Sequence, residues 1–329
     1  MTIHIPTKTI DVTGIGHAIV DILAYVDEPF IAQQSLSKGT MTLIDEDAAN
    51  RLYEALPSCV EISGGSAANT IAGLAAAGGK GAFIGKVKDD QWGEVFRHDL
   101  ASQGIYFPNL PASSGLSTAK SYVLVTPDAE RTMQTYLGIA SHLRQSDIDM
   151  QTIEQSKILY IEGYLWDLET TKATIKQACA HAKKSGTHVA FSLSDPFCVH
   201  RHREEFLALC TETIDILFCN EQEILALFES QSLEDTKHRL EDLCPLSVIT
   251  RGAQGALICQ KGQAPISVPS QKIEHVEDTT GAGDLFAAGF LYGYTQGKPL
   301  TECGTFGHIA AGNIIQQLGA RLGKKLILA

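Results

Sequence analysis

The feature that most constrains how this chain can fold is a change of rhythm near Ser156. From there, short apolar runs at 158–161, 188–193, 214–219, 246–250 and 255–259 alternate with stretches of helical periodicity at 170–184, 221–228 and 236–243. Short runs that stay apolar, without polar alternation, suit strands buried on both faces. Separated by helices, they build a parallel sheet covered on either side, because each crossover returns the chain over one face. The expected class is α/β, a central mostly parallel sheet flanked by helices. Upstream, 10–21 reads as a buried first strand, 82–87 as another and 94–103 as a helix. With 329 residues, 44% hydrophobic and 19% charged, the chain can bury one large core, and no repeat or linker divides it. One domain over 1–329 is expected.

A second pattern interrupts the first. The stretches 21–26 and 40–44 alternate, and so does 120–134 on either side of Thr126-Pro127-Asp128-Ala129-Glu130, which reads as a hairpin turn. Alternation suits strands with one open face. A small second sheet is therefore expected, from segments at about 21–46 and 113–138.

Chemistry concentrates at 276–292, VEDTTGAGDLFAAGFLY. Gly281, Ala282 and Gly283 leave the backbone bare, and an apolar helix follows. Unpaired amides and the positive dipole end at such a helix start hold anions. Asp284, on the first turn, is placed to take a proton from a hydroxyl beside that anion. Backbone donors with one positioned base are what phosphoryl transfer to an alcohol needs. Other glycine motifs fail. Val87 stands where the P-loop hydroxyl belongs, after 79–86, and Ile19 replaces the third glycine of a dinucleotide fingerprint begun at Gly14 and Gly16. In 60–78, Gly64 and Gly65 precede a helix of small residues that carries Asn69.

The run Asp278-Thr279-Thr280-Gly281-Ala282-Gly283-Asp284 resembles the C-terminal signature of the ribokinase-like (PfkB) carbohydrate and nucleoside kinases. Gly64-Gly65-x-x-x-Asn69 resembles the N-terminal substrate motif of that family, and Gly85, Val87, Asp90 and Gly93 continue the likeness as scaffold. The resemblance implies a ribokinase-like fold whose small sheet is a lid, with ATP as co-substrate and Mg2+ as cofactor. It implies Asp284 as base, residues 281 to 283 as anion hole, and Asp21, Gly64, Gly65 and Asn69 on the sugar. Asn220 and Glu223 match a motif tied to the nucleotide phosphates and, through water, to magnesium. Thr250, Arg251, Gly252, Ala311 and Asn313 fall where relatives meet ATP. Arg131, opening a lid strand, is expected to neutralise transferred phosphate. Asp278 and Gly319 occupy places that in some relatives hold a monovalent cation such as K+.

The acceptor is expected from an apolar slot. Ile19, Met41, Leu43, Met133, Leu137 and Leu165 stand where the adenosine-kinase branch of the family places hydrophobic contacts. A purine ribonucleoside fits such a slot better than a bare sugar, whose every buried hydroxyl needs a partner. A ribokinase- or fructokinase-like sugar kinase, an inosine or guanosine kinase, and a catalytically silent nucleotide-binding protein are the alternatives. The formal charge of -12 argues against nucleic acid or an anionic membrane as partner. Eight scattered cysteines without a Cys-x-x-Cys pair suit buried thiols in a reducing cytoplasm. Cys198, His200 and His202 read as a polar loop rather than a metal site, and His308 as a helix-surface residue. No signal sequence or membrane span is expected, and the chain is a monomer or homodimer.

Overall fold

The computed structural model describes residues 8–128 and 130–328. Ala129 of the expected hairpin turn and residues 1–7 lie outside this range. In chain order the strands are Ile10–Ile15 (β1), Ile19–Tyr25 (β2), Met41–Leu43 (β3), Val60–Gly64 (β4), Gly81–Ile84 (β5), Ala119–Val125 (β6), Arg131–Tyr136 (β7), Ser156–Glu162 (β8), His188–Ser192 (β9), Ile216–Asn220 (β10), Leu246–Thr250 (β11), Ala256–Gln260 (β12) and Ile266–Val268 (β13). The α-helices are Glu28–Gln33 (α1), Glu46–Ala55 (α2), Ser66–Ala76 (α3), Gln91–Ser102 (α4), Met150–Glu154 (α5), Glu169–Lys184 (α6), Pro196–Glu212 (α7), Glu221–Phe228 (α8), Leu233–Leu243 (α9), Ala282–Thr295 (α10) and Leu300–Ile314 (α11).

The larger sheet runs β13-β12-β11-β10-β9-β8-β1-β5, parallel from β11 to β5. Its two faces are read off single strands. Ile158 and Tyr160 of β8 join the core layer of α3 and α10, while Leu159 and Ile161 join the layer of α6, α7 and α8. Ile216 and Phe218 divide from Leu217 and Cys219 of β10 in the same way. This is the fold class expected from the uninterrupted apolar runs. After β1 the chain builds β5 on one side and later β8 on the other. A crevice therefore opens beyond the carboxyl ends of β1 and β8, where the crossovers diverge.

The second sheet runs β3-β7-β6-β2-β4. Register explains its alternation. Leu43 pairs with Thr135, Thr135 with Ser121 and Ser121 with Asp21; Met41 pairs with Met133, Met133 with Val123 and Val123 with Leu23. Paired residues share a face, so Ile19, Asp21, Leu23, Met41, Leu43 and Met133 line one side. The other side, with Val20, Ile22, Tyr122 and Leu124, is buried in the core.

Four expectations need correction. The run 10–21 is not one strand. It breaks at Gly16, where a side chain would collide with the Glu162 carboxylate, and the chain leaves one sheet for the other. The second sheet draws a third segment, β4, and the helix α1 interrupts the stretch 21–46. The strand at 255–259 runs antiparallel, with β13 beyond it. Cys198, His200 and His202 lie in α7, not in a loop, since Asp195 caps that helix and Pro196 opens it. The helix is non-helical only at His202 (φ -124°, ψ 20°). Among the described residues no group of three or more His, Cys, Asp or Glu could hold a metal ion, and no helix is long and apolar enough to cross a membrane.

Candidate active site

Two helix starts meet at the crevice. Gly65, at φ +92°, is the cap position of α3, and a Cβ there would strike the His17 carbonyl. Gly281, at φ +76°, caps α10 with no side-chain bond to the helix amides. A Cβ added to Gly283 would meet nothing within 4 Å. No side chain caps the first turn of α10, although the Ala282 amide donates to the Thr279 carbonyl at 3.2 Å.

Asp284 stands on the first turn of α10. Its Oδ1 accepts from the Ser66 hydroxyl at 2.6 Å and its Oδ2 from the Asn69 side-chain amide at 3.0 Å. The structure therefore joins residues 215 positions apart in sequence. Burial raises the Asp284 carboxyl above its ordinary range, while Ser66, Asn69 and Arg321 oppose the rise. Asp21, on the inner face of β2, packs so closely on Gly64 that any side chain there would strike its carboxylate. Burial lifts Asp21 to about 7, with Arg321 pulling down and Asp284 and Asp278 pushing up.

Three residues here escaped the sequence reading. Glu162 ends β8 and is 1% exposed. It accepts from the amides of His17 and Ala67, each at 2.8 Å, and so ties the β1–β2 turn to α3. Burial pushes Glu162 up to about 7 and the His17 imidazole down to about 4. Ser66 is the second partner of Asp284. Arg321 is buried near the C-terminus. None carries a local pattern that marks it; only Gly16, too close to Glu162 for a side chain, hints at one of them.

Arg131 reaches the run leading into α10. Its Nη1 lies 2.6 Å from Asp278 Oδ1 and 3.0 Å from the Thr280 hydroxyl. Asp278 also accepts from the amides of Thr280 at 2.5 Å and Gly319 at 2.8 Å. The positive charge facing Asp278 is thus a guanidinium, at the place where the resemblance implied a monovalent cation.

Asn220, Thr250, Arg251 and Gly252 share one cleft of about 440 Å³ with Glu221, Gln222 and Leu225. Glu223 forms a capping box with Asn220, whose amide and side chain donate to its two oxygens at 2.9 and 2.7 Å. Burial lifts it to about 7, and the charge of Asp284 adds to the rise. Ala311 and Asn313 do not line the cleft; Asn313 bonds its own helix at Ile309. His308 is buried against Phe286, ring centroids 5.0 Å apart, and not on the helix surface. Of the apolar set, Met41 and Leu43 are 54% and 56% exposed on the same face as Ile19 and Met133. Leu137 follows β7, half-buried. Leu165 is packed in the core under α6 and α7, away from that face.

A mostly parallel sheet with a second sheet beside its switch point, and an aspartate on the first turn of a glycine-led helix, accord with an ATP-dependent kinase of ribokinase-like fold, and the comparisons with known proteins show that class. The pfkB family carbohydrate kinase model matches residues 40–325, and the chain belongs to that family. An adenosine kinase from Sinorhizobium meliloti is 45% identical with a TM-score of 0.89, over 96% of this chain and 97% of that one. A probable sugar kinase from Rhizobium etli is 42% identical with a TM-score of 0.90, over 97% of each. Adenosine kinase of Saccharomyces cerevisiae is 26% identical over 326 residues, 93% of this chain and 94% of that protein. The chain is a nucleoside or sugar kinase.

Proposed function

We propose that the chain transfers the γ-phosphoryl group of ATP to the 5′-hydroxyl of a ribonucleoside, adenosine, giving AMP. The observation that carries this reading is the Asp284 carboxylate, held by Ser66 and Asn69 beside the uncapped start of α10. Asp21, Gly64, Gly65 and Asn69 hold the ribose. Ile19, Met41, Leu43, Met133 and Leu137 face the base; Leu165 backs the core instead. Asp284 takes the hydroxyl proton, and the amides of 281 to 283 meet the charge spread over the transferred group. Arg131 adds to that neutralisation. Asn220, Thr250, Arg251 and Gly252 hold the nucleotide.

Magnesium fits an outer place. Glu223 is buried with both oxygens engaged by Asn220, a donor set that suits contact through water with an ion carried by the nucleotide. Such an ion supplies charge neutralisation on the β- and γ-phosphates. The second sheet acts as a lid of the one domain, keeping water from competing with the acceptor.

ADP release measured over adenosine, inosine, guanosine, ribose and fructose tests the reading, with adenosine expected to give the highest kcat/KM. Asp284→Asn is expected to lower kcat by about a hundredfold or more while the melting temperature stays within a few degrees. Turnover near wild type in that variant would remove Asp284 as base. The likeness to the Rhizobium etli sugar kinase supports a second reading, and preference for a free sugar in the panel selects it.

A further inference from the structure

After α11 the chain does not trail away. Three consecutive residues touch three parts of the candidate site. The Gly319 amide donates to Asp278 at 2.8 Å. Ala320 lies so close to Gly281 that an added Cβ would stand 2.7 Å from its methyl. Arg321 donates through Nε to the Ser63 carbonyl and through Nη1 to the Ala68 carbonyl, both at 2.8 Å. Those carbonyls bracket Gly64-Gly65 and the first turn of α3. Further on, the Leu326 amide bonds the Ala76 carbonyl at 2.9 Å, and Leu326 and Leu328 are buried with α10 and α11. The segment is a strap, anchored at its far end and carrying Arg321 at its near end.

A guanidinium only 6% exposed is costly to bury unless its charge is met. Its two hydrogen bonds go to neutral carbonyls, and Nη2 is buried with no hydrogen-bond partner. Asp21 of β2, Asp99 of α4 and Asp284 of α10 form no ion pair with it but act on it through space. Asp99 already accepts from the Ser63 amide at 2.8 Å. Asp21 and Asp284 are the two acids that the proposed reaction uses. Two carboxylates close together resist ionising together, and a cation near them relieves that resistance.

We propose that Arg321 is a positioning residue for the reaction: from the C-terminal strap it fixes the Gly64-Gly65 hinge against Asp21 and balances the negative charge of Asp21 and Asp284. This deepens the kinase reading above and rests on it. The charged groups that act on Asp21 are Arg321, Asp284 and Asp278; those coupled to Asp284 are Arg321, Asp21, Glu162 and Glu223, with Ser66 and Asn69 bonded to it. Arg321 is the largest influence opposing the burial of Asp21. Without it, Asp21 holds its proton to higher pH, and a protonated Asp21 accepts ribose hydroxyls less well.

The test is kcat/KM for adenosine across pH about 5.5 to 9, KM for each substrate and melting temperature, in wild type, Arg321→Gln and Arg321→Lys. In Arg321→Gln we expect the adenosine KM at pH 7 to rise at least about tenfold, with a smaller change for ATP. Its acidic limb should move upward by about one pH unit. Arg321→Lys keeps the limb near wild type but raises the adenosine KM severalfold, because one ammonium cannot span two carbonyls as a guanidinium does. A melting temperature lowered in both variants, with KM and limb at wild-type values, would overturn the proposal. If Arg321→Gln does not fold, a wild-type adenosine KM in Arg321→Lys overturns it. Failure of the adenosine reading shows in the wild-type enzyme itself; the acceptor that the panel selects then replaces adenosine, and the variants still decide.

Discussion

Gly281 is held in the left-handed region at φ +76°, with the methyl of Ala320 closing the space where a side chain would go. Gly281→Ala meets both obstacles. We expect it to cost about 1–3 kcal/mol of stability by urea denaturation, and to lower kcat further because the displaced turn misdirects the amides of α10. The Ser66 hydroxyl holds the Asp284 carboxyl down by donating to its charged form. Ser66→Ala removes that donor, so the Asp284 pKa rises and the acidic limb of kcat moves to higher pH; a limb that stays put would show that another group sets it. At this scale the sequence was informative where a residue type does something no other can. Gly64, Gly65 and Gly281 stand where the structure leaves no room for a side chain, and they were legible for that reason. Ser66 and Arg321 were not, since a serine after two glycines and an arginine near a terminus have many ordinary uses.

Arg131 on β7 and Asp278 before α10 tie the second sheet to the start of α10 across 2.6 Å, with Asp278 only 1% exposed. Removing one partner leaves a buried charge unmet. Arg131→Met is expected to destabilise by roughly 3 kcal/mol, and Arg131→Met with Asp278→Asn by less than the single change; the double-mutant cycle in urea measures the difference. Legibility differed among elements for physical reasons. The parallel strands were visible because burial on both faces leaves few polar residues in each run and no regular polar alternation. α8 was visible through its Asn220-x-x-Glu223 box. α7 carries a strong start signal in Asp195-Pro196, which the alternation of Cys198, His200 and His202 obscures. The split of 10–21 between two sheets had no local mark beyond Gly16.

Over the whole molecule, three carboxyls are lifted to about 7 by burial: Asp21, Glu162 and Glu223. Each binds its proton more tightly in the folded than in the unfolded chain. The stability they allow is therefore largest at low pH and is lost as pH rises through about 7. The ligand-free protein should melt a few degrees higher at pH 6.5 than at pH 8, by calorimetry or fluorescence; the opposite order would mean that these acids are ionised without strain. Substrate binding should narrow the gap, since Asp21 then gains hydroxyl partners. The sequence by itself determined the α/β class, the second sheet and the glycine-and-aspartate pieces of the site, because periodicity and bare backbone are properties of short stretches. Only the tertiary structure decided that Asp284 meets Ser66 and Asn69, that Glu162 holds the turn after β1, that Leu165 turns inward and that Arg321 comes back to the carbonyls of Ser63 and Ala68. Those pairings join distant parts of the chain, and they arise when two sheets pack around one crevice, which no local pattern encodes.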